Sequence, residues 1–472
     1  MGNLFSALNS ASQSLQAFER AIEVTQNNVA NANSPGYAAQ TPQLISEDFL
    51  SDTKSNSGGV REVTQDTRNP YADTAVQQQL SLAGMYQQLQ TTLAPLQNVF
   101  DVSSSSAIPS ALNQLFQSFS AWASQPNNVN YQNSVIEAAQ QTATAFQQSA
   151  VQLNQIQTST TNDVQSTVAQ INQDAAQIQA LNQQIARNSS PDAGVEAQME
   201  SALENLSGLA NIQVIKGIGN TVTVLLGGQT ALVEGTQMSP IQAVNDLASN
   251  SGNPGAAPNI AIQDASGNDI TSEITGGSLA GLLSVRNQLL PSLIGGGPQV
   301  GGLNTLAQGL ADSVNNILTQ AATPSGQPGT ALFTYNASAP AGIAGSLNVT
   351  AGITGSQLAP ATTGANAVAN GAALTLAGLD STNPGPINGQ GFTQYFASLT
   401  AAVGNAVNNA NNQASAQASL VAQAKSLQQQ TSGVSLDEEA IRLVQLQSSY
   451  QAASKVVTVI NEMTQSLLNM VA

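Results

Sequence analysis

The sequence predicts a mainly α-helical protein with a small inserted β domain, in which long helices from both ends of the chain form a helical bundle or coiled coil. Two observations predict this fold class. Apolar residues recur at steps of three and four along both termini, and from Asn211 the pattern changes to short β-branched runs separated by glycines. The length of 472 residues allows several domains, because single cores rarely exceed roughly 250 residues.

The N-terminal segment predicts one helix with an apolar seam. Steps of four and three alternate along it, and only Thr25 is polar. The seam consists of Leu4, Leu8, Ala11, Leu15, Phe18, Ile22, Thr25 and Val29. This spacing is typical of a helix that packs along another helix. Pro35 and Gly36 should end the helix and start a turn.

The C-terminal segment mirrors this pattern. Ser435 and Glu438 have the spacing of a capping box, and Asp437, Glu438 and Glu439 place negative charge at the positive end of the helix dipole. The seam beyond them consists of Leu443, Leu446, Tyr450, Ala453, Val457, Ile460, Leu467 and Val471, with Thr464 as an interruption. Two helices inside one bundle would explain both seams. Their position at the extreme termini favours ends that pair with each other or with neighbouring subunits.

The region between Thr74 and Arg187 is rich in glutamine and predicts long paired helices. Its apolar stripe consists of Val164, Val168, Ile171, Ala175, Ile178, Leu181 and Ile185. Short strands are expected at 212–215, 221–226, 231–233 and 258–262. The two glycines of Gly217-Ile-Gly219 read as a turn, because no third glycine or G-K-[ST] completes a phosphate-binding motif.

The last third of the chain predicts a loop-rich excursion followed by a long helix. Residues 322–390 are rich in Gly, Ala, Thr and Pro, so irregular loops and short strands are expected there. The helical seam beyond them consists of Phe392, Phe396, Leu399, Val403, Ala406, Ala410, Leu420, Ala424 and Leu427. Gln413 and Gln417 interrupt it, either as buried polar residues that fix the register or as part of an exposed face.

These patterns predict a nested organisation of three domains. An inner helical domain combines residues 1–37 and 436–472. A second helical domain combines residues 38–210 and 276–435 and includes the loop-rich excursion. A small β domain comprises residues 211–275.

Composition excludes many classes of function. The chain has no Cys and no His, which excludes thiol nucleophiles, Ser-His-Asp triads and histidine metal sites. Its net charge of −17 argues against nucleic-acid and membrane-surface partners. Neither a signal peptide nor a membrane span is predicted. We therefore expect no catalytic residue, cofactor or metal. An enzyme would have to rely on carboxylates such as Asp437, Glu438 and Glu439, which helix capping already explains.

Two segments resemble a known family. Residues 27–37 read N-N-V-A-N-A-N-S-P-G-Y and resemble the signature N-L-A-N-x-x-T-P-G-Y of bacterial flagellar rod, hook and hook-associated proteins. The matching residues are Asn27, Asn28, Asn31, Pro35, Gly36 and Tyr37. The segment 432–440, with Asp437, Glu438 and Glu439, is similar to the C-terminus of the hook-associated protein 1 family, FlgK. Residues 195–208 lack the Arg that this family usually carries in a D-L-L-D-Q-R-D stretch.

The resemblance implies a structural subunit of the junction between flagellar hook and filament, assembled after type III export. It implies a nested axial protein whose terminal domain lines the tube core. The implied partners are other copies in an axial ring, the hook protein, a second junction protein on the filament side, and an export chaperone that binds the C-terminal helix. A hook or rod protein remains an alternative, as do a flagellin-like filament protein and a secreted carboxylate-dependent enzyme. The candidate assembly residues are Leu4, Leu8, Leu15, Phe18, Ile22, Val29, Leu443, Leu446, Tyr450, Val457, Ile460 and Leu467.

Overall fold

A computed structural model describes residues 2–49, 57–104, 107–187, 192–381, 387 and 389–471. Its helices are α1 (Gly2–Asn31), α2 (Pro70–Val99), α3 (Ile108–Ser124), α4 (Val129–Arg187), α5 (Ala193–Leu209), α6 (Gly277–Ser284), α7 (Leu290–Ile294), α8 (Gly302–Gln320), α9 (Ile343–Ser346), α10 (Gly371–Ala377), α11 (Phe392–Ser432) and α12 (Leu436–Val471). Its strands are β1 (Gln40–Phe49), β2 (Ser57–Asp66), β3 (Ile212–Lys216), β4 (Val222–Leu226), β5 (Thr230–Glu234), β6 (Gln237–Met238), β7 (Gln242–Asp246), β8 (Asn259–Gln263), β9 (Phe333–Thr334) and β10 (Asn348–Val349). The mainly α fold with small sheets confirms the predicted fold class.

The two terminal helices pack along each other. Helix α1 ends at Asn31, ahead of Pro35 and Gly36 as predicted. Strands β1 and β2, which the sequence did not predict, form an antiparallel hairpin that also packs against α1. Among the described residues, helix α1 packs mainly against α12 and the hairpin. We call α1, α12 and this hairpin the terminal unit and the remaining elements the body.

Small and polar residues occupy the most buried face of α1. Ala17, Ala21, Thr25 and Asn28 are buried, whereas the predicted seam residues Leu8, Leu15, Phe18 and Ile22 are half-buried. Val29 is 42% exposed, so it is covered less by the rest of the chain than the other described residues of the predicted α1 seam. Small side chains allow the backbone to approach its neighbours closely, and the apolar pattern alone did not reveal this. The side chain of Leu4 lies outside the described part of the structure.

Helix α12 carries two apolar stripes. The predicted seam faces inward, with Leu446 and Ile460 buried and Leu443 and Val457 half-buried. Tyr450 and Leu467 lie at its edge, 37% and 40% exposed. A second stripe is exposed in the chain, and we call it the outer stripe of α12. It consists of Ile441, Val444, Val456, Val459, Met463 and Met470.

The body contains a large helical core. Helix α11 pairs with α2, and α3, α4 and α8 complete the packing. Among the largest fully buried side chains are Trp122, Phe119, Phe146 and Phe392. The excursion at 322–390 contributes the short β9–β10 pair, as expected, and packs Phe333 into the same core. It also forms helices α9 and α10, which were not expected. Residues 382–386 and 388 of that excursion lie outside the described residues.

The two glutamines that interrupt the predicted apolar seam of α11 lie partly within the packed face of the helix. Gln413 and Gln417 are half-buried, which favours the buried interpretation over a fully exposed face. Leu420 and Leu427, which the seam included, are instead 41% and 50% exposed. The seam therefore holds in the first half of α11 and drifts in the second.

The predicted strands form a four-stranded antiparallel sheet in the order β3-β4-β5-β6, beside a β7–β8 hairpin. Together with α5 and α6 they cover the apolar stripe of α4, where Val164, Ile171 and Ile178 are fully buried. The predicted pairing of helices is present, because α4 packs against α3 and α5, but the strands on this stripe were not predicted as its partners. Because strands and helices share one core here, the division into three domains stays a prediction.

Candidate functional site

Both family signatures meet where the terminal helices join the rest of the chain. We call this region the joint and define it as residues 28–40, 66–73 and 432–439. Ser432 holds its parts together. The Ser432 carbonyl accepts a hydrogen bond from the Ala39 amide at 2.8 Å, and its hydroxyl accepts one from the Asn69 amide at 3.0 Å. The Ala39 carbonyl in turn accepts from the Thr67 amide at 3.1 Å. The joint therefore ties three distant segments of the chain.

Asn28 is the polar centre of the joint. Its fully buried side chain donates from Nδ2 to the Gln40 carbonyl at 2.8 Å and accepts from the Gln40 amide at 2.9 Å. The hydroxyl of Tyr37 donates to the same Asn28 oxygen at 2.9 Å. One asparagine thus fixes the exit of α1 to the start of β1. Buried polar groups of this kind are costly when left unpaired.

The signature turn rests on α5 and admits only glycine at one position. Gly36 has φ +72°, and a Cβ built there would lie 2.4 Å from the Ala197 carbonyl oxygen. Both the left-handed backbone and the close approach exclude a side chain. Asn31 shapes the start of the turn, since its carbonyl accepts from the Ser34 amide at 2.9 Å. Asn27 and Pro35 are exposed, and the Asn27 carbonyl accepts a hydrogen bond from Nδ2 of Asn31 at 3.0 Å.

The acidic start of α12 has two different roles. Asp437 and Glu438 are exposed, and the Glu438 amide donates to the Ser435 hydroxyl at 3.4 Å, as predicted for a cap. Glu439 is 4% exposed and pairs with Arg442 at 3.1 Å. Burial and then the negative charge of Glu439 raise the pKa of Tyr37. Capping alone therefore does not explain Glu439, which lies close to the opposite signature.

Charged side chains gather on the body side of the joint, and no sequence pattern predicted them. The side chain of Arg68 is 8% exposed and donates to the Gly36 carbonyl at 2.7 Å. Its Nη1 atom lies 3.8 Å from Asp73 and 3.7 Å from Glu200. Lys425 pairs with Glu204 at 3.1 Å. Glu200 and Glu204 belong to the 195–208 segment, so Arg68 and Lys425 supply cations beside a stretch that lacks the family's own Arg.

The described residues offer no metal site and no membrane-spanning segment. They contain no group of three or more carboxylates arranged to hold a metal ion. Over the same residues, no helix is both long and apolar enough to cross a bilayer.

Comparisons with known proteins agree with the two signatures. A family model of the flagellar hook-associated protein FlgK helical domain matches residues 93–333, more than half of the chain. The chain belongs to the FlgK family. Family models named for flagellar basal body rod proteins match the ends, at residues 8–37 and 425–470. The FlgK match therefore covers the middle of the body, from the end of α2 to the start of β9, and the rod-type matches cover most of the two terminal helices.

Individual relatives of this FlgK-family chain point the same way. It is 27% identical to flagellar hook-associated protein 1 of Bacillus subtilis, over 99% of both chains. It is 26% identical to flagellar hook-associated protein 1 of Salmonella typhimurium, over 60% of this chain and 52% of that protein. The structure of the flagellar hook junction protein FlgK from Burkholderia pseudomallei matches with a TM-score of 0.63 at 18% identity, over 75% of this chain and 99% of that one. This last likeness shows a shared fold.

Proposed function

We propose that this chain is a structural, non-catalytic subunit of the bacterial flagellum that forms the junction between hook and filament. The observation that carries the proposal is the combination of a FlgK-type body with flagellar terminal helices held by one joint. A deletion strain tests it. We expect hooks without attached filaments, with flagellin lost to the medium. Complete filaments on the deletion strain would contradict the proposal.

The outer stripe of α12 supports assembly with neighbouring subunits. Its members are half or more exposed in the single chain. Covering six such side chains is worth on the order of 5 kcal/mol per helix, because buried apolar area contributes about 25 cal/mol per Å². Each subunit thus presents an apolar helix face suited to other copies in an axial ring, to the hook protein and to a second junction protein.

The same stripe is the part of α12 that an export chaperone would cover before type III export. Covering it in the cytoplasm would prevent premature association, because exposed apolar faces of this size pair readily. Ile460, on the inner seam, is 9% exposed and already packed within the chain. The outer stripe therefore binds the export chaperone first and the neighbouring subunits after export, whereas the inner seam holds the terminal unit together.

Substitutions at adjacent positions of α12 can test the outer stripe and the inner seam separately. Val459→Asp places a charge on the outer stripe, where Val459 is 52% exposed, and should weaken chaperone affinity and motility at least tenfold without unfolding the chain. Ile460→Asp should instead loosen the terminal unit itself. Thr458→Asp, at an exposed polar position, is the control for added charge. Calorimetry with the flagellar export chaperone and swimming assays measure the effects. Wild-type binding and swimming by Val459→Asp would refute this assignment.

A further inference from the structure

A dense cluster of charged residues lies between the joint and the body, in a chain that has few charged residues. Only 8% of the residues are charged, and there are only 10 Lys and Arg in the sequence. We call the group around Arg68 the joint cluster. It consists of Asp66, Arg68, Asp73, Glu196, Glu200, Glu204, Lys216 and Lys425. Five carboxylates therefore face three cations, drawn from the hairpin, the 67–69 loop, α2, α5, β3 and α11.

Three carboxylates lie near the Arg68 guanidinium, and two of them, Asp73 and Glu200, are buried, whereas the Asp66 side chain is partly exposed. The side chains of Asp73 and Glu200 are each 7% exposed, and both lie near Nη1 of Arg68 at distances too long for hydrogen bonds. Glu200 accepts a hydrogen bond from Gln77 at 3.2 Å, and Asp73 accepts one from Gln428 at 2.9 Å. Two buried negative charges facing one shared cation are costly, and a proton on one of them relieves the cost.

The other elements packed against α5 do not neutralise Glu200. On α4, Asp174 accepts a hydrogen bond from Gln170, and Arg187 lines a groove beside Glu196. Helix α6 contains no charged residue. Burial, then the negative charge of Asp73, raises the pKa of Glu200 to about 7, and burial raises the pKa of Asp73. We therefore expect the Asp73–Glu200 pair to bind one proton near neutral pH, with Glu200 as its main site.

We propose that the joint cluster is a pH-dependent latch, which holds the terminal unit to the body at mildly acidic pH and loosens when Glu200 ionises at higher pH. The joint cluster contacts the segments that connect the terminal unit to the body. Arg68 bonds the signature turn through Gly36, Asp73 lies at the start of α2, and Gln428 lies near the end of α11. Ionisation at Glu200 thus acts on the segments that carry α1 and α12. The latch belongs to the single chain and does not depend on the role of that chain in a flagellum.

Proton binding sets the direction of the effect. A carboxyl with an ordinary pKa of 4.5 in the open joint and about 7 in the closed joint binds more protons when closed. The closed state is therefore fully stabilised below about pH 4.5 and loses that stabilisation as the pH rises to about 7 and slightly beyond. Between about pH 6 and pH 8 the opening constant of the joint should rise about tenfold.

Hydrogen exchange of the full-length chain tests the latch. Exchange rates are measured at about pH 6 and pH 8, corrected for intrinsic chemistry, in peptides covering residues 28–40 and 67–77. The β7–β8 hairpin, which carries no member of the joint cluster, serves as the internal reference. We expect the opening constant of the native chain to rise about tenfold between the two pH values and that of the Glu200→Gln variant not to rise. Glutamine keeps the shape of the glutamate side chain and an oxygen that can accept the hydrogen bond from Gln77. Glu234→Gln removes an exposed carboxylate and should retain the full rise.

A second variant keeps the test decisive if Glu200→Gln folds poorly. Asp73→Asn removes the charge that raises the pKa of Glu200, so its midpoint should move to lower pH and the rise between pH 6 and pH 8 should shrink. Equal opening constants at the two pH values in the native chain would overturn the proposal. So would a full rise in either Glu200→Gln or Asp73→Asn.

Discussion

Replacing Asn28 with Ala tests whether the joint depends on this one side chain. The substitution removes the donor to the Gln40 carbonyl and the acceptor for both the Gln40 amide and the Tyr37 hydroxyl. A hydrogen bond is worth about 1 kcal/mol net, and a buried group left unpaired costs about 1–3 kcal/mol. Three such bonds around a fully buried site should therefore destabilise the closed joint by about 3 kcal/mol.

The neighbouring asparagine provides a matched control. Asn27 lies on the same helix but is exposed. Changing either Asn to Ala gains about 0.6 kcal/mol of helix propensity, which cancels in the comparison. The difference between Asn28→Ala and Asn27→Ala then isolates the buried contacts.

Local hydrogen exchange is the suitable assay, because a chain with several packed units need not unfold in one step. The opening free energy of residues 28–40 should fall by about 3 kcal/mol more in Asn28→Ala than in Asn27→Ala. Exchange in the helical core around Trp122 should not change. A difference below about 0.5 kcal/mol between the two variants would refute the assignment of Asn28 as the polar centre of the joint.

Two further substitutions test the packing of the turn and of the sheet. Gly36→Ala should destabilise the joint by more than about 2 kcal/mol, because it adds a clash with the Ala197 carbonyl to the cost of a positive φ. Gly219→Ala has a similar φ, +73°, with open space around it, and should cost only about 1 kcal/mol. Local hydrogen exchange around each substituted position distinguishes the two costs. The side chain of Asn182 accepts a hydrogen bond from the Val222 amide and donates to the Val222 and Gly235 carbonyls. Asn182→Ala should therefore lower the opening free energy of β4 and β5 by about 3 kcal/mol and speed their hydrogen exchange. Unchanged protection of these strands would contradict this expectation.

Periodicity predicted the long helices and the strands well because both follow from the spacing of apolar residues. It identified the stripe of α4 residue by residue, but not the strands that cover it. An apolar face does not specify its partner in the sequence, since helices and sheets bury the same side chains. The same limit explains α1, where Ala17, Ala21 and Thr25 gave weak apolar signals but occupy the closest contacts.

The hairpin β1–β2 had no usable signal in the sequence. Its strands are polar, and Pro42 lies within β1, which normally argues against a strand. The proline is tolerated because a two-stranded sheet has only edge strands, so one side of β1 needs no ladder bonds.

The joint could be predicted only in part. The family signatures marked Asn28, Gly36, Tyr37 and Glu439, but gave no reason for them. The contacts of Ser432 and Arg68 join residues far apart in the sequence, so no local pattern could reveal them. Charged residues are rare in this chain, and their rarity was the one hint in the sequence that residues such as Arg68 have a specific role.

The position of the subunit in the flagellum is the most direct test of its proposed role. A short epitope can be inserted at Gly326, which lies in an exposed turn where an added side chain would meet no neighbour within 4 Å, and labelled with gold on intact flagella. A junction subunit predicts label at one site per flagellum, where hook meets filament. Label spread along the hook, along the filament or confined to the rod would contradict the junction role and favour another axial protein.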